Sequence, residues 1–417
     1  MFKSHSRNTV RYYILIVVFL SFLFFSDDFG LLDVQKTAIV MAAGIDREDD
    51  TFIVTSQVAI PQSSKQGKAS ETVQLVSRGK TVADAFEEIN AKTGWYPKLV
   101  FCKLILLGES AAEQNVFDAL EFFLRDEYLT DNCLVATCEG TAYAMLDQSA
   151  LVDPSTSVAI EKVLSTHAQR VGSVLTTTLR EFSIGYFSEG KSGYLPVVKK
   201  EERRDGIGEN PSQEQNQSGQ SQGGSSSGGQ SQSQQQGESS GGGQQMDKKP
   251  LFSAGETALF VDGKRVGTLS AEETFAFVAV NERLKLASYS VEQEGKTCTF
   301  TIKNNGNKID FSVGEGGRAH LKIEVVMTAG ILDFSKALPL QDVADAGDAP
   351  KEYLALAERK LKGEIVTVFE KCRKVGCDLF GLKERLAKYE KKKYHPLKDT
   401  VLEGAIAEVS VKFRNIR

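Results

Sequence analysis

Between Asn216 and Gln245 the chain reads "NQSGQSQGGSSSGGQSQSQQQGESSGGGQQ", without one aliphatic or aromatic side chain. Such a stretch has no apolar surface to bury, so nothing offsets the backbone entropy that folding would cost it. The shift in composition runs from about Glu201 to Lys249 and marks a disordered, flexible linker, or an expanded surface loop between adjoining domains. At ~45 residues its r.m.s. reach is roughly 35–40 Å, which tolerates docked or separated halves. The 417 residues in any case exceed one ordinary core. The expected division is 1–30 as a basic tip and membrane segment, 31–200 as an N-terminal α/β-type domain, 201–249 as linker, and 250–417 as a C-terminal α+β domain. Within the last, 250–290 can stand as a small subdomain.

The second constraint is "YYILIVVFLSFLFF" from Tyr12 to Phe25. Lys3, Arg7 and Arg11 precede it and Asp27 and Asp28 follow, a polarity that orients the start to the cytoplasm and the body outward. Counted as uncharged residues alone it spans roughly 22 Å as a helix, short of the ~30 Å hydrocarbon core, a length that suits a signal-peptide core. A cleavage site wants small residues, and "FLFFSDDFG" offers no pair of them. No cysteine follows that could take a lipid, the first being Cys102. Arg11 can snorkel to lengthen the span. The expectation is an uncleaved signal anchor built from Tyr12, Ile14, Leu15, Val18, Phe19, Leu20, Phe22, Leu23, Phe24 and Phe25; a cleaved signal is the alternative.

In the first body "TAIVMAAGID" and "TFIVTSQVAI" read as a hairpin around an acidic turn, the second strand alternating Phe52, Val54, Ser56 and Val58. Thr81 caps a helix with a Val82, Ala85, Phe86, Ile89 stripe that ends at Gly94. "KLVFCKLILLG" reads as one continuous buried strand, "QNVFDALEFFLRD" as a helix and "NCLVATCEG" as a strand. Two further helices, after Pro154 and around "SVLTTTLREFSIGYF", precede a strand near "GYLPVVKK". In the second body Asp262-Gly263 marks a hairpin, and Ser270 with Glu273 a capping box. "KTCTFTIKNNGNKIDFSVG" reads as a hairpin turning at Asn305-Gly306, and Ala319 to Met327 as an alternating strand. Leu354, Leu361, Ile365, Val368 and Cys372 form one face of a long helix, and "GAIAEVSVKFR" is a closing strand. The fold class expected is α+β and multidomain, with mixed and antiparallel sheets packed with helices, preceded by one N-terminal transmembrane helix.

Catalytic and metal patterns are missing. His5, His167, His320 and His395 are scattered, and no H-E-x-x-H, G-x-S-x-G, P-loop or G-x-G-x-x-G occurs. Cys102, Cys133, Cys138, Cys298, Cys372 and Cys377 sit largely in apolar runs and read as buried small hydrophobes, with two C-x4-C pairs that lack nearby histidines. "DREDD" at Asp46 has calcium-loop acidity without the Gly and distal Glu of an EF-hand, so it reads as a solvated hairpin turn. The basic run Lys383 to Lys393 reads as a solvated helix face, with anionic lipid as the other option. A net charge of -5 gives no support for nucleic acid. No catalytic residue, cofactor or metal is expected, and the chain reads as a non-enzyme.

The succession "TAIVMAAGID", "GKTVADAFEEIN", "KLVFCKLILLGES", "ALEFFLRDEYLTDNCLVATCEGTAYAML", "GETALFVDGKRVGTLSAEET", "VGCDLFGLKERL" and "AIAEVSVKFR" resembles the Ger(x)C (GerAC) family, the C subunits of spore germinant receptors. The likeness covers nearly the whole chain except the linker. It implies a non-catalytic, membrane-tethered subunit, single-pass, in the spore inner membrane or cell membrane with its body on the extracytoplasmic side. Its partners would be the A and B membrane subunits and membrane lipid, in nutrient-triggered germination. Family members usually carry a lipoprotein signal ending in a cysteine; here "SDD" follows the apolar run, so a proteinaceous anchor is expected in its place. The other function open to such a chain is a stand-alone anchored extracytoplasmic module that binds a small ligand or cell-wall polymer.

Overall fold

The apolar N-terminal run forms α1 (Ser4–Phe25), 22 residues that begin two turns before Tyr12. At 1.5 Å per residue that is about 33 Å of helix, longer than the uncharged residues alone supply. The computed structural model describes residues 4–25, 37–59, 72–147, 153, 155–201, 250–281, 284–314, 316–335 and 349–416, with side chains of α1 only at 11–21. Among the described residues no helix is long and apolar enough to cross a membrane. The low-complexity segment lies outside them.

The first sheet grows from β1 (Thr37–Glu48), which pairs antiparallel with β2 (Thr51–Ala59), itself paired with β3 (Thr72–Gly79). The turn between β1 and β2 places Asp49 at φ 51°, a conformation an Asp tolerates. β2 is buried along both faces, because helices cover the sheet on each side. The polar set between Phe52, Val54 and Val58 is therefore interior too. Gln57 Oε1 accepts the backbone N–H of Ser157 at 3.1 Å and the Ser155 hydroxyl at 3.3 Å.

After β3 comes α2 (Val82–Thr93), with the Thr81–Asp84 capping box at its start and Gly94 at φ 71° at its end; Val82, Ala85, Phe86 and Ile89 are buried as the stripe required. The stretch expected as one continuous strand is two: β4 (Tyr96–Lys98) and β5 (Leu104–Leu107), both parallel to β1 and on the same side of it. Between them the chain makes a turn, in which the Cys102 N–H donates to Leu99 O at 2.8 Å. Leu99 and Cys102 point inward, while Val100 and Phe101 are exposed. Apolarity alone could not separate the inward from the outward pair.

Short α3 (Glu109–Ala112), α4 (Phe117–Arg125), β6 (Leu134–Cys138), α5 (Ala142–Leu146), α6 (Thr156–Val163), α7 (Thr166–Arg170), α8 (Leu179–Phe187) and β7 (Ser192–Glu201) follow. The helix expected over 173–187 is only its second half, starting at the Thr178–Glu181 capping box. β1, β5, β6 and β7 are mutually parallel. Across the low-complexity segment, β7 pairs antiparallel with β8 (Leu251–Val261), with Glu201 opposite Leu251, and β8 with β9 (Lys264–Leu269). The order of the nine-stranded sheet is β3-β2-β1-β5-β6-β7-β8-β9, with β4 beside the start of β1. One face packs on α2, α4 and α8, the other on α5 and α6.

The Ser270–Glu273 box starts α9 (Ala271–Asn281), which buries Thr274 and every residue from Ala276 to Val280. A helix apolar on all sides belongs between layers. Here it joins the end of the first sheet to a second sheet, β10-β11-β12-β13. β10 (Ala287–Gln293) pairs with β11 (Lys296–Val313), and β11 with β12 (Ala319–Phe334). The hairpin expected at Asn305-Gly306 is absent: β11 is one 18-residue strand running straight through. The register against β12 slips by one between Asn304 and Gly306, a bulge. Apolar positions are even before it (Phe300, Ile302) and odd after it (Ile309, Phe311, Val313), and the extra residue lets both sets face odd residues of β12; a second slip between Thr299 and Phe300 sets Cys298 opposite Phe334. α10 (Lys351–Val375) lies across that face with Leu354, Leu361, Ile365, Val368 and Cys372 buried. Then α11 (Leu382–Tyr389) and α12 (Lys391–Tyr394) lead to β13 (Ile406–Asn415), parallel to β12. The described body is α+β, with a mixed first sheet and a largely antiparallel second one.

Candidate functional site

All ten residues proposed for the anchor lie on α1. Tyr12, Ile14, Leu15, Val18, Phe19 and Leu20 are solvent-exposed, from 55 to 67%. The side chains of Phe22, Leu23, Phe24 and Phe25 lie outside those described. Among the described residues nothing covers the apolar run of α1 from Tyr12 to Leu20, a surface of the kind that calls for a partner or a membrane.

Two motif aspartates have structural work. Asp46 is not in the solvated turn expected of "DREDD"; it sits inside β1, 4% exposed. Its two carboxylate oxygens accept the backbone N–H groups of Ala142 at 2.8 Å and Tyr143 at 3.0 Å, capping α5. Gly108 lies so close that a Cβ there would fall 1.8 Å from Asp46 Oδ1. Asp378, from "VGCDLFG", does the same for α11: its oxygens accept Leu382 N–H and Lys383 N–H, both at 2.8 Å. Its own N–H donates to Ser192 Oγ at 2.8 Å, tying the loop after α10 to the first strand beyond α8. Burial lifts both carboxyls above the usual range, against the lowering by those N–H donors. Asp46 and Asp378 thus fasten helices to sheets and are not aimed at a ligand.

The six cysteines are buried and free, as their apolar surroundings required. Burial pushes Cys298 and Cys377 up to about 12, and also raises Cys138 and Cys372. Cys133 is raised first by a hydrogen bond with Cys102 and then by burial. Such thiols are poor nucleophiles. Among the described residues no group of three His, Cys, Asp or Glu could hold a metal. One surface groove, about 790 Å³, runs beside α2 and is lined by Phe86, Tyr96, Pro97 and Phe122 with Asp84, Glu87 and Glu88. A second of about 700 Å³ lies along α10, with Glu370, Lys371, Arg373 and Lys374.

The surface feature with a clear chemical character is aromatic. The loops and short strand at the N-terminal ends of β1, β5 and β6 leave Trp95 40%, Tyr96 44%, Phe101 54% and Tyr128 58% exposed, with Val100 among them. Tyr96 is the register partner of Thr37, the first residue of β1, and Lys98 of Ile39. Lys98 Nζ lies 4.8 Å from the centre of the Tyr128 ring, which brings the loop before β6 against β4. Sequence reading did not single these residues out, because they are spread over Trp95 to Tyr128 and share an edge only once the parallel strands align.

Residues 32–200 match the family model for the spore germination protein N-terminal domain, and residues 255–415 that for the spore germination B3/GerAC-like C-terminal domain. Spore germination protein B3 of Bacillus subtilis (strain 168) is 24% identical over 381 residues, covering 88% of this chain and 85% of its own. The crystal structure of the GerBC protein aligns over 90% of this chain and 97% of its own, with a TM-score of 0.48 and 17% identity. The two domain matches flank the low-complexity segment and take in every described strand of the body except the end of β7 and the start of β8. The chain therefore belongs to the Ger(x)C family of spore germination proteins.

Proposed function

We propose that the chain is a membrane-tethered, non-catalytic C-type subunit that works with A and B membrane subunits in nutrient-triggered spore germination. The observation that carries this reading is the pair of germination-protein domain matches on either side of the low-complexity segment. α1 supplies the tether: a helix of 22 residues whose apolar run from Tyr12 to Phe25 follows Arg7 and Arg11, a polarity that orients the body outward from the spore inner membrane. The body acts by contact. Its thiols are sequestered, and its two buried aspartates are consumed in holding helices. Tethering then raises the local concentration of its faces around membrane partners.

Crosslinking in intact spore membranes, followed by identification of the captured proteins, tests the assignment. Recovery of A- and B-type membrane subunits is expected, together with slowed nutrient germination in spores lacking this chain. Normal germination and no such partner would sink it. Full-length protein should also give no turnover on cell-wall substrates; sustained hydrolysis would remove the non-catalytic reading alone.

A further inference from the structure

We propose that the exposed aromatic edge formed by Trp95, Tyr96, Phe101 and Tyr128 docks into the interfacial layer of the bilayer that holds α1. The inference rests on the anchor reading above and adds a second, body-borne contact to it.

Three observations converge. The first is position. Eleven residues separate Phe25 at the end of α1 from Thr37 at the start of β1. Fully extended they reach about 40 Å, so the first residue of β1 cannot leave the neighbourhood of the membrane. Thr37 is paired with Tyr96, and neighbouring strands lie about 4.8 Å apart, so the aromatic edge is next to the point where the tether arrives.

The second is direction. β1, β5 and β6 are parallel, and the loops carrying Phe101 and Tyr128 precede β5 and β6. Both therefore lie at the end of the sheet where β1 begins. An end of the body that meets the tether presents its loops to the bilayer ahead of its helices.

The third is chemistry. Tryptophan and tyrosine favour the headgroup boundary, where a flat apolar ring and a polar handle are both satisfied. Lys98, over the Tyr128 ring, adds a cation at the same level. The nearby α2 groove carries Asp84, Glu87 and Glu88, which sets the limit of the contact on that side. The edge is aromatic rather than broadly basic, so it should dock on zwitterionic as well as anionic lipid.

Trp95 is the chain's single tryptophan, so its fluorescence reports this edge alone. Full-length protein is reconstituted into phosphatidylethanolamine–phosphatidylglycerol vesicles, and into phosphatidylcholine vesicles, with and without dibrominated acyl chains. Flotation records membrane attachment independently. Expected are flotation with both lipids, a blue-shifted Trp95 emission, and about twofold quenching by the brominated lipid. The double substitution Phe101→Glu and Tyr128→Glu, at exposed positions, should still float through α1, keep its circular dichroism, and lose the quenching and the blue shift.

Protein that floats while Trp95 stays red-shifted and unquenched overturns the docking and leaves the anchor standing. A blue shift without lipid quenching means that another copy of the chain covers the edge, and overturns it equally. Protein that fails to float overturns the anchor, and the docking with it.

Discussion

At the scale of single residues, Asp46 and Asp378 concentrate the consequences. Each removes a carboxylate from water and uses both oxygens on consecutive helix N–H groups. Replacing either with Ala leaves two donors unpaired in a buried setting, which costs about 2–4 kcal/mol and should show as a lowered urea midpoint. The pH dependence has a definite sign. Burial holds both folded carboxyls above the ordinary value of 3.8, so the folded state binds protons more readily than the unfolded one. Their contribution is thus full below about pH 3.8 and declines as pH rises through the lifted folded value. Asp46→Asn and Asp378→Asn keep one acceptor and cannot titrate. Their deficit against the parent should shrink between pH 4 and pH 7, roughly over that interval; a constant deficit in urea melts at the two pH values would contradict this. Neither role was legible beforehand. "DREDD" advertises charge, and only the packing of α5 against β1 shows that its first member is interior.

At the scale of elements, local chemistry was readable and pairing was not. Thr81 with Gly94, Ser270 with Glu273, and Asp262 with Gly263 act within a few residues of themselves, and each behaves as its spacing requires. Asn305-Gly306 carries the same local hairpin signature but lies within a strand, because the partner is β12 and not the other half of the segment. The parity switch from Ile302 to Ile309 was the available clue, since a one-residue bulge is what brings even and odd positions to one face. Deleting Asn305, the unpaired residue, should therefore straighten β11 and leave Ile309, Phe311 and Val313 opposite Ile323, Leu321 and Ala319 on the core face, whereas inserting one further residue after it should turn them away from the core. Val313 is buried and Ile309 and Phe311 half-buried, so at a fraction of about 1.5–3 kcal/mol each the insertion should lower the melting transition by roughly 5 °C, while the deletion should leave it near the parent's. Substituting Gly306 by Ala is the control: no atom lies within 4 Å of the added carbon, so its melting temperature should stay near the parent's.

At the scale of the whole molecule, the low-complexity segment joins two strands of one hairpin. Residues 32–200 and 255–415 match separate family models, yet β8 and β9 complete the sheet begun by β1. The composition change was plain in the sequence; the shared sheet was not, because pairing between Glu201 and Leu251 leaves no local trace. Replacing residues 202–249 with Asn-Gly should preserve the fold. Shortening a loop of about fifty residues to a few lowers its closure entropy by roughly 2 kcal/mol, so chemical denaturation should show equal or greater stability. A collapse of the transition would mean that the segment contributes contacts of its own.

That hairpin has a genetic consequence. The two strand ends meet as register partners whatever lies between them, and closure cost grows only with the logarithm of length. Codon repeats for Gln, Ser and Gly can therefore lengthen or contract by replication slippage with little selection from folding. Closely related strains should differ in the length of this tract far more than in anything on either side of it. For the same reason an epitope tag or a small fluorescent domain placed there should be carried by the protein without disturbing either sheet.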